Sequence, residues 1–165
     1  MTLMDWAGQV VSLVALGLCV LAFSSKDDRK LMSLLVSANI AFAIQFALFG
    51  SWASALLTLL VIVRIVLARR YARNYWVMSG VLAASCLGAW FTWQGPVDVL
   101  PLLAMFLGTL GMFLLRGVPM RLMLAAAATA WLLANLVVGS IGGVVAEAIV
   151  VFTNLITIFR LIRQS

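Results

Sequence analysis

No histidine occurs anywhere in the 165 residues, and only five carboxylates do. The side chain that most often serves as general base or metal ligand is thus missing, and the acids are too scattered to stand in for it. No nucleophile lies beside a base at a recognisable spacing, and no glycine-rich phosphate loop is present. Both lysines, Lys26 and Lys30, share one loop, so an intramembrane Ser–Lys mechanism has no lysine at depth. The expectation is a protein that is not an enzyme, with no catalytic residue, no metal site and no cofactor. The two cysteines, Cys19 and Cys86, fall inside apolar stretches, where a thiol behaves as a small hydrophobe and builds no disulfide framework. Charge is also scarce, at 10% of residues against a soluble norm of roughly 25%. That excludes a water-facing globule.

What the chain has is hydrophobicity: 65% apolar residues and a mean hydropathy of +1.19. Charge, glycine and proline divide it into seven apolar segments, 6–23, 30–49, 52–70, 75–93, 98–115, 119–138 and 142–162. Each is close to the ~20 residues that carry a helix across a bilayer core of ~30 Å. The reading is all-α and transmembrane, one integral membrane domain over 1–165. The N-terminus lacks the positive n-region of a cleaved signal, so residue 1 is expected to stay in the mature protein.

The net charge of +6 has to be read by position. With seven crossings and the N-terminus outside, ten of the eleven Lys and Arg fall at cytoplasmic positions: Lys26, Arg29, Lys30, Arg69, Arg70, Arg73, Arg116, Arg121, Arg160 and Arg163. The external loops have none, and six crossings would spoil that division. Trp6, Trp52, Trp90 and Trp93 fall at external ends, and Tyr71, Tyr75 and Trp76 at a cytoplasmic end, as interfacial belts require. Because the basic residues follow topology and not one face, their expected partner is anionic lipid at the cytoplasmic surface, not nucleic acid. Homo-oligomerisation is compatible with this pattern and is not set by it.

Two halves of the chain can be superposed. LGLCVLAF (16–23) leads through a basic loop to Lys30, then to Gly50–Ser51 and a run ending in Arg69 and Arg70. LGTLGMFL (107–114) leads through Arg116 to Arg121, then to Gly139–Ser140 and a run ending in Arg160 and Arg163. The pattern predicts a three-helix repeat (6–70) and its copy (98–162), held in the same orientation by a linker helix (75–93). Repeats of this kind suit a solute carrier.

The densest stretches, LPLLAMFLGTLGMFLLRGVPMRLM (100–123) and GSIGGVVAEAIVVFTNLITIFR (139–160), resemble the YgjV-type bacterial inner-membrane proteins. KDDRK after the first helix and GSWASALL at the start of the third extend the likeness over nearly the whole chain. The resemblance implies an inner-membrane protein with a helical fold related to the SWEET, PQ-loop and nicotinamide riboside transporter group, a 3+1+3 arrangement. The Pro-Gln dipeptide of PQ-loop proteins is absent from the first and fifth helices, which puts the hinge behaviour of those relatives in doubt here.

Sorting polar residues by depth leaves Asn39 and Gln45 on helix two, Arg64 on helix three, Trp131 and Asn135 on helix six, and Glu147 and Asn154 on helix seven. Arg64 is about twelve residues, or ~18 Å, from the external end of its helix. It either snorkels toward the cytoplasmic headgroups or faces a cavity. Glu147 has no cation nearby on its own helix, so it must be neutralised by a proton, meet a cation from elsewhere or face water. Asn154, two turns on, shares its face. Trp131 with Asn135 one turn beyond either stacks and bonds a flat ligand, or is a core residue whose indole N–H is satisfied by the amide. Through the resemblance, Trp on second helices and Asn on third helices line the pocket of the SWEET group. Here those places hold Trp131 and Phe42, and Asn154 and, one or two positions off, Arg64, which argues for an anionic or zwitterionic ligand. Arg64, Trp131, Asn135, Glu147 and Asn154 are therefore expected to line one central site, with Asn39, Phe42 and Gln45 as secondary candidates. Arg64 and Glu147 should lie ~10 Å apart in depth, too far for an unassisted ion pair. The functional expectation is a small-solute transporter or facilitator; the other reading is a structural or interaction protein whose polar residues only lock helices together.

Overall fold

The computed structural model describes residues 2–24 and 28–163. Lys26 and the core of the first basic loop lie outside the described residues. Among those described, seven α-helices account for nearly the whole chain: α1 Leu3–Ser24, α2 Asp28–Leu48, α3 Trp52–Arg70, α4 Tyr75–Thr92, α5 Val99–Leu114, α6 Gly117–Val138 and α7 Ile141–Arg163. Helices are what an apolar chain must form where no water can satisfy its backbone. Six are long and apolar enough to cross a membrane; in α2 the apolar part is the shorter Ser33–Leu48. The boundaries fall within a few residues of those expected, with one element unforeseen. A 3₁₀ turn, Pro96–Asp98, precedes α5, and there Asp98 Oδ2 accepts the main-chain N–H groups of Gln94 (2.6 Å) and Gly95 (3.2 Å).

Two turns are built alike. At Gly50 the chain leaves α2 with a φ of 74°, Gly50 N–H donating to Ala47 O and Ser51 N–H to Phe46 O. At Gly139 it leaves α6 with a φ of 78°, Gly139 N–H donating to Leu136 O and Ser140 N–H to Asn135 O. Both are glycine C-caps in the left-handed region, where a Cβ would be strained. A glutamine from elsewhere in the chain braces each turn. Gln94 Oε1 accepts Trp52 N–H (3.0 Å) at the start of α3. Gln9 of α1 accepts Ile141 N–H (3.1 Å) at the start of α7 and donates to Gly139 O. At the opposite end Asn74 caps α4, and Arg73 N–H donates to Phe113 O (3.1 Å), tying the α3–α4 turn to the end of α5.

The helices pack in a closed order. α1 lies on α2 and α7, α2 on α3, α3 on α5, α5 on α6 and α6 on α7, while α4 sits outside this ring against α3 and α5. Large apolar side chains face outward, such as Leu13 and Leu21 on α1 and Trp90 and Phe91 on α4. Many of the contacts between helices are made by small residues, with Ala15, Ala22, Ala38, Ala53 and Ala104 fully enclosed, alongside a few large ones, Phe46, Leu57, Met105 and Phe113. This inversion is expected where lipid is as apolar as leucine and close backbone approach drives association.

Candidate functional site

The ring encloses a cavity of about 320 Å³, lined by all six of its helices and by no residue of α4. A second hollow, between α2 and α3, amounts to about 10 Å³ and is too small for a solute. Helical periodicity explains which side chains reach the large one. On α6 the residues facing it include Arg121, Leu124, Ala128, Trp131 and Asn135, steps of three and four that trace one stripe, with Ala127 beside it. On α7 they are Glu147, Val150 and Asn154, and on α3 Thr58, Val61, Arg64, Ile65 and Arg69.

All five residues singled out from the sequence, Arg64, Trp131, Asn135, Glu147 and Asn154, therefore border one volume, and Asn39 and Phe42 border it too. Gln45 does not; it stands behind the wall, fully buried, and donates from Nε2 to Asn135 Oδ1 at 3.2 Å. Together with the tilted pair of Phe46 and Trp131 (centroids 5.8 Å apart, 37° between planes), it lies toward the Gly139 turn, where the cavity ends. At the other end the lining residues are Leu35, Met112, Arg69 and Arg121, so the cavity runs toward the basic termini of the helices.

Arg64 does not snorkel. It is 7% exposed, and its guanidinium lies over Gly108 of α5, where even a methyl group would collide with it. Nη1 has Met105 Sδ at 3.8 Å, a weak acceptor, and Nε has no partner. Glu147 is half-buried on the opposite side of the ring. The two border the cavity from α3 and α7, and no ion pair joins them. Asn154 is buried, donating to Val150 O of its own helix (2.9 Å) and accepting from Arg121 Nη1 (3.4 Å). Asn39 donates back to Leu35 O (2.8 Å).

Two expectations are corrected. The Asn135 amide does not take the Trp131 indole N–H; it donates to the Trp131 main-chain carbonyl (3.0 Å) and accepts from Gln45. Arg121 is not simply a loop cation: it lies in the second turn of α6, half-buried, in the cavity wall. Sequence reasoning assigned it to topology alone, although its ten-residue spacing from Trp131 already placed both on one helix face. Cys19 of α1, taken for a simple hydrophobe, also borders the cavity. A signal was available, since Gln9, Ser12 and Cys19 lie on one face of α1 at helical spacing.

The charge of the wall is lopsided, with three guanidiniums, Arg64, Arg69 and Arg121, facing the carboxylate of Glu147. Phe42, Val61 and Trp131 supply apolar surface between them. Convergent polar groups on a mostly apolar concave wall are the usual makings of a small-molecule site.

The family model described as Imp-YgjV, bacterial inner membrane protein, matches residues 6–165. The inner membrane protein YgjV of Escherichia coli (strain K12) is 25% identical over 160 residues, which span 97% of this chain and 87% of that protein. No solved structure matches. With the match running through all seven helices, the chain belongs to the Imp-YgjV family of bacterial inner membrane proteins and is a multi-pass protein of that membrane.

Proposed function

We propose that the protein is a transporter or facilitator that binds a small polar or charged solute in the cavity between two three-helix repeats. α1–α3 and α5–α7 are the repeats, and α4 is the linker that gives them one orientation, a 3+1+3 plan of the SWEET kind within one membrane domain. The observation that carries the reading is Arg64, enclosed yet with Nε unpartnered, in the wall of a cavity large enough for a metabolite. A residue kept only to lock helices would have its donors matched within the protein. Support for the repeat comes from the like turns at Gly50 and Gly139 and from the reciprocal brackets. Gln9 of the first half braces the second, and Gln94, just before the second half, braces the first. The interaction-protein reading draws on Gln45–Asn135 and on Ser12, which takes Gly142 N–H (3.2 Å), since both bonds join helices.

The binding test is a thermal-shift screen of the purified protein against sugars, amino acids, nucleosides, vitamins and small organic acids, since a ligand of the folded state raises its melting point. A hit should be lost in Asn154→Ala and weakened in Trp131→Phe while the unliganded melting points stay near wild type. If both variants melt early and leave every ligand response intact, these side chains are packing and the interaction reading takes over. Trp131→Phe is preferred to Trp131→Ala because the indole is packed on Phe46 within the core.

The topology belongs to the same proposal: the N-terminus outside, the C-terminus in the cytoplasm, Arg70, Arg73, Arg160 and Arg163 among anionic headgroups, and Arg69 at the cytoplasmic mouth of the cavity. Reporter fusions at the two termini should then give opposite signals. Matching signals would mean that α2, with its short apolar stretch, does not cross.

A further inference from the structure

Arg64 and Glu147 are the two charged groups of the wall that lie farthest along their helices from the basic end, and neither is matched inside the protein. The guanidinium is a rigid fork of N–H donors suited to a carboxylate, and here it has only the Met105 thioether at 3.8 Å for Nη1 and nothing for Nε. Glu147 accepts no hydrogen bond from any described residue, and it borders the same cavity from α7. The remaining charged or titratable groups around that space are few. Arg69 shares α3 with Arg64, Arg121 stands on α6 and Cys19 on α1. α2 and α5 add none among the described residues, and α7 has Asn154, which is neutral.

We infer that the cavity takes a small organic carboxylate on Arg64 together with a proton on Glu147, so that anion and proton enter the site as a pair. This rests on the solute-binding reading above. A carboxylate reaching the Arg64 fork comes under the field of Glu147, and two carboxylates in one cavity with a mostly apolar wall repel each other. One proton from solution adds to a carboxylate oxygen of Glu147 for each anion bound. That removes the repulsion and turns an acceptor into an O–H donor. When the anion leaves, the proton leaves with it, and the pair carries no net charge. Phe42 and Trp131 beside these groups favour an organic body over an inorganic ion.

The test uses the full-length protein in detergent, titrated calorimetrically with acetate, lactate and benzoate and with their neutral amides at pH 6 and pH 8, where the acids stay ionised. At least one acid should bind and the amides should not. Its affinity should be severalfold higher at pH 6 than at pH 8, with a net uptake of protons on binding that matches the slope, since the coupling is reciprocal. In Glu147→Gln the affinity should be the same at both pH values. In Arg64→Gln binding should be lost, with helical content and elution volume unchanged; should that variant not fold, the Glu147→Gln comparison still decides. A pH-independent wild type, or a Glu147→Gln protein that keeps the wild-type slope, overturns the pairing. If neutral solutes from the thermal-shift screen bind and no carboxylate does, the anion inference fails and the solute-binding reading survives. If nothing of either class binds, both fail.

Discussion

Replacing Gly142 by alanine should destabilise the protein by about 3 kcal/mol, the upper end of what overpacking usually costs, and lower its melting temperature by on the order of 10 °C. A Cβ at this position would lie 2.5 Å from both the main-chain carbon and the main-chain oxygen of Ser12, and 2.6 Å from its hydroxyl. A flexible side chain could swing aside at little cost, but the two nearest of these are backbone atoms of α1. The whole helix would have to retreat, and with it the bond from Gly142 N–H to Ser12 Oγ and the Gln9 bracket on the α6–α7 turn. Gly17→Ala is the matched control. Nothing lies within 4 Å of that position, so the change should leave stability alone or raise it by up to ~1 kcal/mol through better helix propensity. Equal melting points for the two variants would show that α1 and α7 do not approach this closely in the membrane protein.

Asn135→Ala should cost about 2 kcal/mol, and the size of that number is the point. Interhelical hydrogen bonds in membrane proteins average only ~0.6 kcal/mol, because a released group commonly finds another partner. Gln45 has none to find. Its side chain is fully enclosed and its Oε1 already lacks a partner, so removing Asn135 Oδ1 strands the amide entirely. The double variant Gln45→Leu, Asn135→Leu, which removes both ends at once, should recover more than half of the loss. Denaturation of the single and double variants in mixed micelles gives the comparison. A single-variant loss near 0.6 kcal/mol, or a double variant as unstable as Asn135→Ala, would mean that the pair does not close that end of the cavity as argued.

Seven helices, their approximate ends and the crowding of arginine at one end were legible in the linear sequence for a simple reason. In a bilayer the backbone must bond to itself, so hydrophobic length alone specifies each helix, and charge alone marks where it stops. The polar shortlist was legible for the same reason: a carboxylate, an amide or a guanidinium in an apolar run stands out because its cost there demands a use. Glu147 and Asn154, seven residues apart, had to share a face on any α-helix. Local rules did not reach further. Arg121 was assigned to the membrane surface because it sits near a helix start, and only the position of α6 in the ring turned it inward to Asn154. Arg64 had two destinations open to it, headgroup or cavity, and the choice rested with α5, where Gly108 leaves room for the guanidinium and Met105 meets it. Gln45 passed for a possible ligand group until α6 brought Asn135 against it. The chain by itself determined which residues are expensive in lipid, since that depends on each side chain and its depth. The tertiary structure decided which of them meet, since that depends on how closely two helices approach. That distance is set here by glycines and alanines, whose small size carries no signal of its partner.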